Sequence, residues 1–295
     1  MSYTTDVCFL INTFNRQESI LNLVKSIRAI DRKIDIFIVD DGSDPPIKQY
    51  NNLFKFQNNI HVTWQGNKGK QYYWQTCNLL FSQVGKTNYK YYYMLPDDVT
   101  IPQTFLKDTQ EVWNKINDPN KVALNLITDR IGLKCWTNFE PQYIEELKIW
   151  KTNWIDMAMM FNKKFFTYII KLPHVQRDWD KNPMLGSGVG SYISRKIFSQ
   201  GGTIYMNEKS FIDFQHSHGI SRMNPKPGVR INSICYIGTN DFYHAFNGGH
   251  NNMLFKMEND TLIPLKESEG KLKAKDFKFL LKVDAYIDEN GKIFY

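Results

Sequence analysis

The sequence predicts an α/β fold, a mostly parallel sheet flanked by helices and followed by a C-terminal extension. Three observations carry this. Short, continuous apolar runs of strand length recur through the first half of the chain. Segments of helical period separate them. Two of the runs end in paired aspartates, where the sheet of such a fold binds ligands.

The elements follow in order. Val7 to Ile11 is an unbroken apolar run, as expected for a strand buried on both faces. Asn15 and Glu18 have the spacing of a capping box, and Ile20, Leu23, Val24, Ile27 and Ile30 follow at helical spacing. Ile34 to Val39 reads as a second strand, closed by the turn residues Asp40-Asp41-Gly42-Ser43. Ile60 to Trp64 is a third strand. From Lys70 to Val84 a helix places Tyr73, Cys77, Leu80, Phe81 and Val84 on one face. Tyr89 to Leu95 is a fourth strand. Pro102 opens the first turn of a helix carrying Phe105, Leu106, Thr109, Val112, Trp113 and Ile116. Lys121 to Ile127 is a fifth strand. Later, Trp154 to Phe161 and Phe211 to Phe214 read as strands, and Ser191 to Phe198 as a helix behind the small-residue loop Gly186 to Gly190. From Ile237 onward the chain breaks into short polar segments with turns at Asn247-Gly248-Gly249 and Asn290-Gly291. The expected division is 1–235 as one domain, with a nucleotide-binding half over about 1–130 and an acceptor half over about 131–235. Residues 236–295 form the extension.

Composition narrows the function classes. The chain has 295 residues, 15% of them aromatic, and a net charge of +7. Aromatic rings offer apolar planes to sugars and bases. The lysines are scattered, with no basic block of the nucleic-acid-binding kind, so no nucleic-acid partner is expected. The basic charge is compatible with peripheral membrane contact. Cys8, Cys77, Cys135 and Cys235 lack CxxC spacing and read as free thiols in a reducing compartment. With no apolar run of membrane-spanning length, the expected location is cytoplasmic, at most peripheral to a membrane.

The chemistry-bearing residues fall into clusters. Asp40-Asp41 and Asp97-Asp98 close the second and fourth strands. Carboxylates placed there can accept hydrogen bonds from a base or ribose, or hold a hard divalent cation completed by phosphate. His216 and His218 alternate so that both point one way on a strand, where they could share a metal or phosphate group. Asp178, Asp180 and Asp213 are candidate bases for an attacking hydroxyl. The first two flank Trp179 just before the glycine-rich segment.

The order of these motifs resembles glycosyltransferase family 2 and its GT-A relatives over residues 5–110. Thr13-Phe14-Asn15-Arg16 resembles the opening TYNR signature, and Ile38 to Ser43 the VVDDGS signature. Asn67-Lys68-Gly69-Lys70 resembles the NxG segment, and Asp97-Asp98 stands where the family carries its Asp-x-Asp. One departure is Pro96, which occupies the first position of that motif if Asp98 is its last. Either Asp97 takes that role or metal dependence is weaker than usual. Farther along, Gly186 to Gly190 with Tyr192-Ile193-Ser194-Arg195 looks like an acceptor-side region, and the spacing of His216 to Ser221 is similar to a late HxxxxS histidine.

What the resemblance implies is a GT-A glycosyltransferase of hexosyl- or N-acetylhexosaminyl-transferase type, acting on a nucleotide-sugar donor, most often a UDP-sugar. The acceptor would be a glycan, a lipid-linked sugar or a protein. By that resemblance Thr13, Asn15, Arg16 and Asp41 contact the nucleotide, with Asp40 in support and Asn67, Lys70 and Asp97 completing the donor site. Asp98 would ligate Mn²⁺ or Mg²⁺, with His216 on its far side and His218 as a second candidate. Inversion at the anomeric carbon is implied. Two rivals remain. A nucleotidyltransferase acting on a sugar phosphate would release pyrophosphate instead of a nucleoside diphosphate. A non-catalytic sugar-binding module would need no nucleotide pocket.

Overall fold

A computed structural model describes residues 6–56, 59–66, 72–128, 141–155, 157–173 and 188–214, and the backbone of short strands between 229 and 294. The chain divides into two compact units, Met1–Thr128 with Phe139–Gln176 and Gly188–Gln215, and Asp129–Asn138 with Arg177–Ser187 and His216–Tyr295.

The first unit is built on one large sheet. Its strands are β1 (Val7–Thr13), β2 (Asp35–Asp40), β3 (Ile60–Trp64), β4 (Tyr91–Pro96), β6 (Lys121–Asn125), β7 (Gln142–Ile144), β8 (Ile149–Thr152), β9 (Met159–Phe161) and β10 (Thr203–Asn207). They lie in the order β3-β2-β1-β4-β9-β6-β10-β8-β7. β3, β2, β1 and β4 are mutually parallel, as are β6 and β10, while β9 runs antiparallel between β4 and β6. The mostly parallel α/β sheet expected from the sequence is therefore present. A small ribbon, β5 (Val99–Thr100) with β11 (Asp213–Phe214), stands beside it.

β1 is unbroken in its apolarity because helices cover both its faces. Phe9 and Ile11 pack with α1 (Gln17–Ile30) and α5 (Phe105–Lys115). Cys8 and Leu10 pack with α4 (Tyr73–Val84), α6 (Phe165–Tyr168) and α7 (Val189–Ser199). Two further short helices, α2 (Ile47–Tyr50) and α3 (Asn52–Phe56), join β2 to β3. The alternation of side chains along a strand sends successive residues to opposite layers, so a strand covered on both faces has no polar positions to spare.

The structure departs from the sequence expectations in three places. The capping box at Asn15 and Glu18 does not form, since α1 begins after Arg16 with no side-chain cap. Asn15 instead adopts a left-handed backbone with φ 50, and its side chain accepts a bond from Asp44 N across the next loop at 2.9 Å. Pro102 lies ahead of the helix that begins at Phe105 and accepts the bond from Phe105 N. Of Trp154 to Phe161, only Met159–Phe161 is strand. The segment before it is satisfied by side chains. Asn125 Nδ2 donates to Trp154 O at 2.8 Å, and Ile155 N donates to Ser194 Oγ at 2.9 Å.

In the second unit the described backbone is all strand. β16 (Thr261–Pro264), β15 (Leu254–Glu258), β14 (Phe242–Ala245), β13 (Ile234–Ile237) and β17 (Phe277–Leu281) form one antiparallel sheet in that order. β12 (Val229–Ile231), β18 (Ala285–Ile287) and β19 (Ile293–Phe294) form another.

Candidate active site

The register of the sheet brings the strand-end residues together. Thr13 is level with Asp40 on β2, and Asn12 is level with Pro96 on β4. The loops that leave β1, β2 and β4 therefore emerge side by side at one edge. Each loop is fixed by its own sequence. Asp40 is fully buried and accepts bonds from Ser43 N at 2.9 Å and Ile47 N at 3.0 Å, closing the turn in which Gly42 takes φ 82. That conformation suits glycine, which has no Cβ to clash. Ser43 Oγ in turn accepts a bond from Asn15 N at 2.9 Å, locking the β1 and β2 loops to each other.

Arg16 is the centre of the arrangement. Its Nη1 lies 2.8 Å from Asp97 Oδ1 and 2.7 Å from Asp98 Oδ2, so one nitrogen serves two carboxylates. Asp97 Oδ2 accepts a second bond, from Thr13 Oγ1 at 2.8 Å. Asp97 is buried, with both its oxygens engaged. Burial is the main influence on it and pushes its carboxyl up to about 6, helped by Asp98 and opposed by Arg16 and Thr13. Burial also opposes the charge on Arg16, but Asp97 and Asp98 outweigh it and hold the guanidinium above its ordinary pKa.

Asp41 stands on the other side of β1. Gln65, the residue after β3, donates from Nε2 to Asp41 Oδ1 at 2.7 Å and is 3.0 Å from Thr76 Oγ1 on α4. Backbone bonds set the position, with Gln65 N to Asp40 O and Asp41 N to Thr13 O both at 2.9 Å. Gln65 and Thr76 escaped the sequence reading. A glutamine after a strand carries no motif, and only the β2–β3 pairing puts it beside Asp41.

Thr13, Asn15, Arg16, Asp40, Asp41, Asp97 and Asp98 are thus gathered at one sheet edge. Asp213 lies on β11, exposed, and pairs with Thr100. Its neighbour Phe214 pairs with Val99, the residue after Asp98. Asn67, Lys70, Asp178, Asp180, His216 and His218 lie outside the described residues.

Among the described residues no cluster of three metal-ligating side chains occurs. The donor set nonetheless fits a small hard cation that takes one or two protein carboxylates and completes its shell with phosphate and water. Asp98 is the carboxylate suited to this, because Asp97 is committed to Thr13 and Arg16.

The family described as "Glycosyl transferase family 2" matches residues 8–202. The chain belongs to glycosyl transferase family 2. The match takes in both acidic strand ends and stops just before β10, so in this family 2 protein Asp40, Asp41, Asp97 and Asp98 lie within the matched segment, whereas Asp213, His216 and His218 lie beyond it. No curated protein matches the sequence at a significant level. Among solved structures, similarity is found to S. aureus TarS. The crystal structure of its residues 1–349 has a TM-score of 0.49 at 12% identity, covering 70% of this chain and 59% of that one. The structure of S. aureus TarS in longer form has a TM-score of 0.49 at 13% identity, over 72% of this chain and 37% of that one. A third, of TarS 1–349 in complex with UDP-GlcNAc, has a TM-score of 0.47 at 15% identity, over 70% and 57%. This family 2 chain thus spans less than two thirds of the TarS chains. No helix among its described residues is long and apolar enough to cross a membrane.

Proposed function

We propose that the protein transfers a sugar from a nucleoside-diphosphate sugar, with UDP as the favoured nucleotide, to a carbohydrate-containing acceptor. The observation that carries the reading is the joining of Thr13, Arg16, Asp97 and Asp98 at the sheet edge, beside an Asp41 held by Gln65. A carboxylate only accepts hydrogen bonds at neutral pH. Asp41 therefore suits a base that presents N–H donors to it, and the preference for uracil rests on the family resemblance. Thr13, Asn15 and Arg16 lie against the nucleotide, while Asp97 holds Thr13 and Arg16 in place and Asp40 holds the loop. Asn67 and Lys70 complete the donor side.

In the reaction, the acceptor hydroxyl oxygen attacks the anomeric carbon as its bond to the diphosphate oxygen breaks. The bonding pair leaves on the diphosphate, and the hydroxyl proton passes to a carboxylate. Asp98 would hold a Mn²⁺ or Mg²⁺, which when bound would supply positive charge to the departing group. By the family resemblance His216 serves the same diphosphate, with His218 the second candidate. The displacement is single and inverts the anomeric centre. The base is Asp180, with Asp178 next and Asp213 third.

Titration calorimetry with UDP, GDP, CDP and dTDP, with and without Mn²⁺, tests the donor. UDP should bind with metal and CDP more weakly. Failure of every nucleoside diphosphate to bind in the presence of metal would overturn the reading. For the base, Asp→Asn at the true position should lower turnover about 100-fold or more with UDP affinity intact. An NMR assay showing retention of anomeric configuration would remove the need for such a base.

A further inference from the structure

The helical layer formed by α4, α6 and α7 has an unusual charge distribution. The described residues of this layer and its flanks are 73–88, 157–173 and 188–202. They contain Lys86, Lys163, Lys164, Lys171, Arg195 and Lys196, and no Asp or Glu. The opposite layer, α1 and α5, mixes both signs, with Glu18, Asp108 and Glu111 among its lysines and arginines. Among the described residues, none of these basic side chains is in a salt bridge. Lys163 Nζ donates to Asn88 Oδ1, and Lys164 Nζ donates to the carbonyl of Pro119 at 2.9 Å, both uncharged acceptors.

Two large apolar side chains stand out of the same layer. Ile170, just after α6, is 87% exposed, and Phe198 in the last turn of α7 is 47% exposed. Neighbouring residues show that the α6 and α7 ends lie together. A Cβ at Gly202, after α7, would meet both Ile197 and Tyr168. Topology places these pieces at one end of the sheet. Gly85–Asn88 lead into β4, Asn162–Lys164 follow the antiparallel β9, and Phe198–Gly201 lead into β10. That is the end at which the parallel strands begin, whereas Asp97 and Asp98 follow the opposite end of β4. A six-residue strand of about 3.3 Å per residue separates the two ends by roughly 20 Å.

We propose that this face docks on an anionic lipid surface, with Ile170 and Phe198 entering the headgroup boundary and the basic side chains lying over the lipid phosphates. Each lysine or arginine near such a surface adds to the attraction, and the contributions fall with salt. Scattered lysines alone would suit any polyanion. Exposed aliphatic and aromatic side chains among them favour lipid, because Ile170 gains nothing from a phosphate backbone in water. Docked in this way, the protein keeps the edge bearing Asp41, Asp97 and Asp98 turned from the lipid and open to a soluble donor.

Co-sedimentation of the full chain with vesicles of phosphatidylglycerol and phosphatidylcholine tests this, against vesicles of phosphatidylcholine alone. The protein should pellet with the anionic vesicles only and be released by high salt. Lys171→Glu with Lys196→Glu should lower the vesicle partition about tenfold or more. Ile170→Ser should lower it at constant charge. Both variants should keep the wild-type melting temperature and UDP titration, which separates this face from the donor site. Equal pelleting by the variants and the wild type would overturn the proposal. So would loss of binding on Lys→Glu changes at Lys266, Lys271 and Lys273 instead, or binding to heparin without binding to the anionic vesicles.

Discussion

Asp98→Asn should abolish metal-dependent binding of UDP while leaving the melting temperature nearly unchanged. The substitution keeps the shape of the side chain and removes the charge that a hard cation requires. Losing a partner that merely orients a metal ligand costs about 10- to 100-fold in metal affinity, so loss of the ligand itself should reach at least about 100-fold. The fold should tolerate the change because Arg16 keeps its bond to Asp97, and Asp97 keeps Thr13. Calorimetry with UDP and Mn²⁺, paired with a thermal melt, reads both halves. His216→Ala should weaken UDP binding in the same direction, and His218→Ala less. Wild-type affinity in Asp98→Asn would remove this residue from the metal site.

Arg16→Gln should have the largest effect on stability. Its guanidinium is ion-paired with two adjacent carboxylates, one of them buried. Removing one partner of a buried ion pair costs about 3–5 kcal/mol, because the remaining charge is left without compensation. In a domain of this size that corresponds to a fall in Tm of roughly 10 °C. The loss should depend on pH in a defined direction. The folded-state pKa of Asp97 is already raised to about 6 and should rise further without Arg16. A carboxyl whose pKa is raised by folding contributes its stability fully below the unfolded value of about 4 and loses it as pH rises through the folded value. The gap between Arg16→Gln and wild type should therefore be widest well above pH 6, narrow as pH falls towards about 6, and stay small from there to pH 4. Arg16→Lys should recover much of the stability, since a single nitrogen makes both contacts. Thermal melts of the three proteins across this pH range check it, and equal Tm values for Arg16→Gln and wild type at pH 7.5 would refute it.

The sheet was legible where burial on both faces leaves a strand no polar residues. Val7–Thr13, Asp35–Asp40 and Tyr91–Pro96 are such strands, and the aspartates that close the last two stand out against their apolar runs. Legibility fell where side chains do the work of secondary structure. Asn15 looks like a cap by its spacing, yet its amide and backbone bind the neighbouring loop, a partner 28 or 29 positions away in sequence. Trp154 and Ile155 read as strand, but Asn125 takes the carbonyl of Trp154 and Ser194 the N–H of Ile155. β7, β8 and β10 were missed because they are short and their exposure is mixed, so no clean period of two survives. Gln65 was invisible for a related reason. Its importance comes from what three elements bring to it, and none of that is written at position 65.

The β5–β11 ribbon is only two residues long on each side, yet it joins positions more than a hundred residues apart. Closing a flexible loop of about a hundred residues costs about 4 kcal/mol of chain entropy by its length dependence. Folding of the large sheet covers that cost before any ligand arrives. The backbone of Phe214 is therefore held beside Val99, next to Asp98, as a tethered group rather than a free one. An equivalent group supplied from solution would have to make up that difference in binding energy.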